Sequence, residues 1–297
     1  MNSFLKEKKS LAYFLALTAA VLFSSKAVLI KLSYEYEVDR LTILTLRLGF
    51  AFPIYLLINT FRSKKEDQKS VTSKDWMLII FLGFIGYYIS SYLDFWGLQY
   101  ISAGLERLIL FVYPTITTIL AALILKKKIT TKQIIAIAIA YFGIFISFQD
   151  NMDGNENIWM GGLLVFLSAV TYAFYLVGAD KLIPKYGATR FTSYCMIVSC
   201  LVVFIHFALE QPSDIFNLSW EVYGLGFILS IFCTVLPTYM IGEAIKRIGA
   251  SSTSILSTAG PVSVIFIAYV VLGEPITIIQ IAGTVVVIVG IIYLIRK

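Results

Sequence analysis

Charge is scarce in this chain. Only 14% of its 297 residues are Asp, Glu, Lys or Arg, while 59% are hydrophobic and the mean hydropathy is +0.84. A soluble domain carries nearer a quarter charged residues, so the composition excludes an ordinary globular protein. Histidine occurs once, at His206. With no H-E-x-x-H pair, no G-x-S-x-G and no glycine-rich phosphate loop, the sequence offers neither hydrolase chemistry nor an ATP-driven pump. The three cysteines, Cys195, Cys200 and Cys233, lie in apolar runs without metal-ligand spacing, which argues against a disulfide or zinc framework. No metal and no cofactor are expected, and the chain is not read as an enzyme. Long polar segments are also missing, leaving no room for a separate soluble domain.

What the chain has is apolar runs of about 20 residues, the length that crosses a bilayer. Ten are expected, at 11–31, 41–61, 76–96, 105–125, 130–149, 159–179, 191–210, 222–242, 252–272 and 277–295. A net charge of +6 would suggest nucleic acid in a soluble protein; here the basic residues sit in alternate loops, so no nucleic-acid partner is expected. Those loops carry Lys64, Lys65, Lys69, Lys126 to Lys128, Lys181, Lys185, Lys246 and Arg247. Only Lys and Arg orient a membrane protein, and their placement puts both termini and the even-numbered loops in the cytoplasm. The basic stretch Lys6 to Lys9 before an apolar run has the look of a signal peptide. Leu11 to Lys26 matches Met160 to Tyr175 at an offset of 149, however, so it reads as a retained first span.

The organising feature is a duplication. Tyr92 to Ile129 aligns without gaps on Tyr239 to Ile276, 147 positions later, with identities including Tyr92/Tyr239, Ala103/Ala250, Pro114/Pro261 and Leu125/Leu272. Two repeats are expected, at 1–149 and 150–297. Five spans per repeat is an odd number, so the repeats enter the membrane from opposite sides, the arrangement of secondary transporters with a midplane site between halves. The expected fold class is an all-α polytopic membrane protein of two inverted five-helix repeats.

Ala103, Leu108, Pro114 and Leu125, with Ala250, Ile255, Pro261, Leu272 and Glu274, form a repeated fourth-span motif that resembles the EamA-type permeases of the drug/metabolite transporter superfamily. The resemblance implies a permease for small metabolites, mostly an exporter of amino-acid-like compounds. The chain departs from the family pattern at Lys127, where a glutamate is usual, and at Glu106-Arg107, where its own second repeat has Thr253-Ser254.

Ionisable residues inside a span are costly and by default functional candidates. Lys26, Arg47, Asp94, Glu106 and Arg107 form that set, all in the first repeat and in the outer halves of their spans. They either line a substrate site or form a structural network in which Asp94 pairs Arg107 or Lys26. Asp94 is the candidate for proton coupling. Trp96, Tyr113 and Tyr175 are expected in the pocket wall, together with Tyr87, Tyr88, Tyr92 and Tyr172, since these rings join an apolar body to a polar handle. His206 reads more simply as a hydrogen-bonded interfacial group. Pro114 and Pro261 remove a helix hydrogen bond and are read as gating kinks.

The expected function is alternating-access export of a small polar metabolite, with protons as candidate coupling ion. The alternatives are exchange of a nucleotide-sugar or organic phosphate, using Lys26, Arg47 and Arg107 as an anion clamp, and, in a different class, a channel or non-transporting receptor. The expected partners are the lipid bilayer and a small-molecule substrate. The chain is expected as a monomer or homodimer in a bacterial plasma membrane.

Overall fold

The computed structural model describes residues 2–62, 70–147, 157–210, 212–272, 276 and 278–295. Among them every regular element is helical. The order is α1 (Asn2–Tyr34), α2 (Arg40–Arg62), α3 (Ser73–Gly83), a π turn (Phe84–Ile89), α4 (Ser90–Gly97), α5 (Ala103–Leu110), α6 (Tyr113–Leu125) and α7 (Thr131–Ser147). It continues with α8 (Ile158–Tyr186), α9 (Ala188–Glu210), α10 (Trp220–Ser230), a second π turn (Ile231–Val235), α11 (Leu236–Leu256), a 3-10 turn (Ser257–Ala259), α12 (Gly260–Leu272) and α13 (Ile278–Ile295). Six helical rods, Ser10–Tyr34, Arg40–Phe61, Ser73–Gly97, Ile158–Tyr186, Ala188–Glu210 and Trp220–Ala259, are long and apolar enough to cross a membrane. Tyr113–Leu125, Thr131–Gly143 and Ile281–Leu294 are apolar but shorter. The chain is therefore an all-helical polytopic membrane protein. Among the described residues six rods meet the length of a full crossing and three apolar helices are shorter, against the ten crossings expected. Of the expected signals, Lys64, Lys65, Lys69, Glu274 and the side chain of Leu108 lie outside the described residues.

Local chemistry sets the helix ends. Asp39 accepts from the backbone of Leu41 and Thr42 at 2.9 Å, and Ser102 accepts from Leu105 N at 3.2 Å, satisfying first-turn donors that have no partner within the helix. Lys126 ends α6 in the left-handed region at φ 53. Gly249, at φ 80 and ψ 164, interrupts α11 with a backbone that a side chain would strain.

The duplication is visible in the backbone. The π turns start at Phe84 and Ile231, and α6 and α12 start at Tyr113 and Gly260; each pair is 147 positions apart. Pro114 and Pro261 are each the second residue of the helix after a break, where a missing N–H costs nothing because that donor has no helical acceptor. The α-helical pattern is thus interrupted just ahead of each proline, by a turn at Phe111 and Val112 and by the 3-10 turn at Ser257–Ala259. The side chain of Pro261 lies outside the described ones.

Contacts fix the rod directions. Lys185 Nζ pairs with Asp75 at 3.1 Å and Lys127 Nζ with Asp180 at 2.6 Å. These pairs gather the start of α3 and the ends of α6 and α8 at one end of the bundle. Gly249 lies against the Lys127–Asp180 pair, so α11 also arrives there. At the other end Arg40 reaches Gln99 at 3.3 Å and Ser213 donates to Asp39 at 2.7 Å. The rod from α3 to α4 therefore runs away from the Lys127 end, while its repeat counterpart from α10 to α11 runs toward it.

Close packing around the centre uses glycine at one decisive place. A Cβ on Gly86, in the first π turn, would stand 2.2 Å from Tyr175 Cβ on α8. Gly86→Ala is expected to destabilise by about 1–3 kcal/mol, the usual cost of overpacking, measured as a lower midpoint of unfolding in detergent. An unchanged midpoint would show that α8 moves aside freely.

Candidate substrate site

The first π turn and the breaks beside Pro114 and Pro261 surround a narrow cavity of about 40 Å³. Its wall is built mainly by α1, α4, α5, α8 and the π turn. Phe23, Tyr87, Tyr113 and Tyr172 supply rings, Lys26 and Arg107 supply cations, and Ser24, Ser90, Ser91, Ser168 and Ser257 supply hydroxyls. The rings are mutually braced. Tyr113 meets Tyr172 edge to face at 5.3 Å and Tyr87 meets Tyr172 at 6.1 Å. Tyr175 stands behind them, 4.6 Å from Tyr87 and stacked on Tyr172 at 6.0 Å. Such a wall is rigid and amphipathic, with hydroxyls to orient a polar ligand.

The five intramembrane charges converge. Lys26, Arg47, Asp94, Glu106 and Arg107 are 4%, 1%, 1%, 0% and 3% exposed. Lys26 Nζ forms an ion pair with Asp94 Oδ2. Arg107 Nη2 donates to the Phe23 and Ser24 carbonyls of α1 at 2.9 and 3.0 Å, tying α5 to α1. Arg107 Nε lies 3.1 Å from Glu106 Oε2. That approach is close enough for attraction but is poorly directed, since neither atom gains a hydrogen bond from it. Arg47 stands slightly apart and finds hydroxyls rather than a carboxylate: Thr234 Oγ1 at 2.6 Å and Ser91 Oγ at 3.3 Å. Its guanidinium also covers the Phe95 ring at 5.4 Å. With all five ionised the cluster carries three positive and two negative charges, a net attraction for an anion.

Several buried polar atoms lack a hydrogen-bond partner: Asp94 Oδ1 and both Glu106 oxygens in the charge cluster, and the Tyr87 hydroxyl of the cavity wall. Orphaned polar groups in an apolar interior each cost about 1–3 kcal/mol. A ligand that satisfied them would recover that energy on binding.

Of the residues expected at the site, Lys26, Arg107 and Tyr113 line the cavity. Asp94 and Glu106 join it through the charge cluster, Arg47 through Ser91, and Tyr175 as a second layer. Trp96 is set apart. Arg40 lies over its ring at 4.7 Å and its Nε1 donates to Tyr100 at 3.2 Å, at the end of the bundle remote from Lys127. His206 is there too, hydrogen-bonded to Tyr88 at 2.9 Å and Glu210 at 2.8 Å. Sequence reasoning missed Phe23 and the serines. The helical pairing of Ser90 with Ser168 at 3.0 Å had a signal, since small hydroxyl residues mark close helix contacts in membranes. Asp180 was also missed. It accounts for Lys127 standing where a glutamate is usual, because the lysine bridges to α8.

Residues 10–149 and 159–296 each match the family described as "EamA-like transporter family". The Bacillus subtilis protein named uncharacterized transporter YcbK is 29% identical over 282 residues, covering 90% of this chain and 87% of that protein. Uncharacterized transporter YyaM of the same organism is 30% identical over 249 residues, 82% of this chain and 81% of that protein. A Salmonella typhimurium protein named "probable amino-acid metabolite efflux pump" is 24% identical over 196 residues, 63% of this chain and 66% of that protein. A solved crystal structure superimposes with a TM-score of 0.76 over 96% of each chain at 14% identity, a likeness of fold.

Proposed function

The chain belongs to the EamA-like transporter family, and on that premise we propose that it exports a small amino-acid-like metabolite by alternating access. In this reading two inverted repeats, 1–149 and 150–297, contribute five crossings each, and their breaks at Pro114 and Pro261 act as gates. The opposed directions of the α3–α4 and α10–α11 rods support the inversion. The basic loops place the Lys127 end and both termini in the cytoplasm of a bacterial cell. The observation that carries the substrate class is the cavity lining itself: aromatic rings, the cations Lys26 and Arg107, and serine hydroxyls. A zwitterion would set its carboxylate toward the cations and its ammonium toward Asp94. The name of the Salmonella typhimurium relative points the same way. Proton coupling is placed at the Asp94 side of the site, where charge and an orphaned oxygen meet.

The second reading, exchange of an organic phosphate or nucleotide-sugar, is favoured by Arg47, whose described hydrogen-bond partners are neutral. Thermal stability of the detergent-purified protein against a metabolite panel at two pH values separates the two. A ligand at 100 times its Kd stabilises by about 2.7 kcal/mol. Amino acids and their conjugates should raise the unfolding temperature of the wild type and leave Lys26→Ala unmoved. A shift confined to phosphorylated compounds would replace export of amino-acid-like cargo with the phosphate reading.

A further inference from the structure

We propose that Glu106 holds a proton shared with Asp94, and that Glu106 is the group whose proton is exchanged during the transport cycle. The coupling half of this statement rests on the cavity being the substrate site; the proton itself does not.

The inference begins with unpaired atoms. Asp94 uses Oδ2 for Lys26 and leaves Oδ1 buried without a donor, and both oxygens of Glu106 are in the same position. The two carboxyls lie within hydrogen-bonding reach of one another. Two ionised carboxylates can only repel across such a contact, and each would keep an oxygen that accepts nothing. One proton changes the account. Placed on Glu106 it turns that side chain into a donor, which satisfies Asp94 Oδ1 and removes the repulsion.

The choice between the two carboxyls follows from their neighbours. Asp94 is held by the Lys26 ammonium through a direct ion pair, which keeps it ionised. The cation nearest Glu106 is Arg107, whose Nη2 is committed to two backbone carbonyls and whose Nε is misdirected. Glu106 is 0% exposed. The charged groups facing it are Lys26 on α1, Asp94 on α4 and Arg107 beside it on α5. α12 carries no charged residue in Gly260–Leu272, and α8 contributes Tyr172 to the same cavity wall. Glu106 thus has only the poorly directed approach of Arg107 to offset its charge, while Asp94 has a hydrogen-bonded ion pair.

The bound proton leaves the cluster of Lys26, Arg47, Arg107 and Asp94 with three positive charges against one negative, and so strengthens its attraction for an anionic group. Loss of the proton returns a second negative charge and loosens that hold. Proton and carboxylate thus favour each other's binding and cross in the same direction, so in export the proton leaves with the cargo and the cargo's own gradient drives the step. The proton enters Glu106 from water on the side to which the cavity opens and leaves to water on the other.

The test is infrared spectroscopy of the purified full chain in detergent at neutral pH, in H2O and D2O, with no ligand added. A protonated-carboxyl C=O band that shifts in D2O is expected in the wild type. It should disappear in Glu106→Gln and persist, displaced, in Asp94→Asn. Glu106→Asp serves if the glutamine variant does not fold, and should move the band. Absence of the band from the wild type overturns the proposal. So does a band that survives Glu106→Gln and vanishes in Asp94→Asn, which would put the proton on Asp94. For coupling, wild-type export of a compound found by the thermal panel should vary with pH, and Glu106→Gln should lose that dependence; an unchanged pH profile overturns the exchange step. If no compound binds, the substrate reading fails while the band still decides where the proton is.

Discussion

Replacing Lys26 by Met is expected to cost about 3–5 kcal/mol of stability, because it leaves the Asp94 carboxylate buried and unpaired. Asp94 is 1% exposed, and apart from the proton proposed on Glu106 its other oxygen has no donor. The single change Asp94→Leu should be similarly harmful, stranding the ammonium of Lys26 instead. The informative variant is the double one. With Lys26→Met and Asp94→Leu together, both charges are gone and an apolar pair of similar volume fills their place, an exchange that elsewhere is neutral or stabilising. Denaturant titration of the purified protein should therefore show most of the loss recovered. Transport should not return, because the cavity would have lost Lys26 and its partner. A double variant that is stable and still transports would reduce the pair to scaffolding and move the substrate site elsewhere.

That experiment also addresses what the sequence left open. Lys26, Asp94, Glu106 and Arg107 stand out in any reading, since four charges in apolar spans are conspicuous, and the duplication at 147 positions pointed to equivalent helix irregularities at Pro114 and Pro261. Whether these charges formed a site or a network is not written in one dimension. Sequence spacing tells which helix a residue is on, and the partner across 68 positions, Asp94 for Lys26, is decided by how α1 and α4 pack. The structure shows a network, two of whose cations, Lys26 and Arg107, line a cavity. Trp96 shows the converse. Only two positions from Asp94, it turns toward Arg40 because successive helical residues point about 100° apart. The π turns could not be anticipated either, since neither Phe84–Ile89 nor Ile231–Val235 carries a residue type that demands the extra residue in the turn. Their recurrence at equivalent positions was legible only afterwards.

The π turns give Arg47 its place and lead to the second large effect. π turns cluster at functional positions in helices. Thr234, in the second one, accepts from Arg47 Nε at 2.6 Å while donating to Leu229 O at 2.8 Å. The equivalent position in the first repeat is Tyr87, which lines the cavity. Arg47 is 1% exposed, and among the described residues no carboxylate lies within ion-pair distance of it. Burying a cation costs several kcal/mol after relaxation, and hydrogen bonds to neutral hydroxyls, each about 1.5–3 kcal/mol when one partner is charged, offset only part of it. Arg47→Met removes the cation without stranding a carboxylate, and Thr234 keeps its bond to Leu229. Stability should consequently rise, by about 1 kcal/mol or more, while the thermal shift produced by an anionic or zwitterionic ligand disappears. A residue that destabilises the resting protein and is needed for ligand is one held for the ligand. A fall in stability as large as that of Lys26→Met, with ligand binding retained, would show instead that Arg47 serves the packing of α2 against α4.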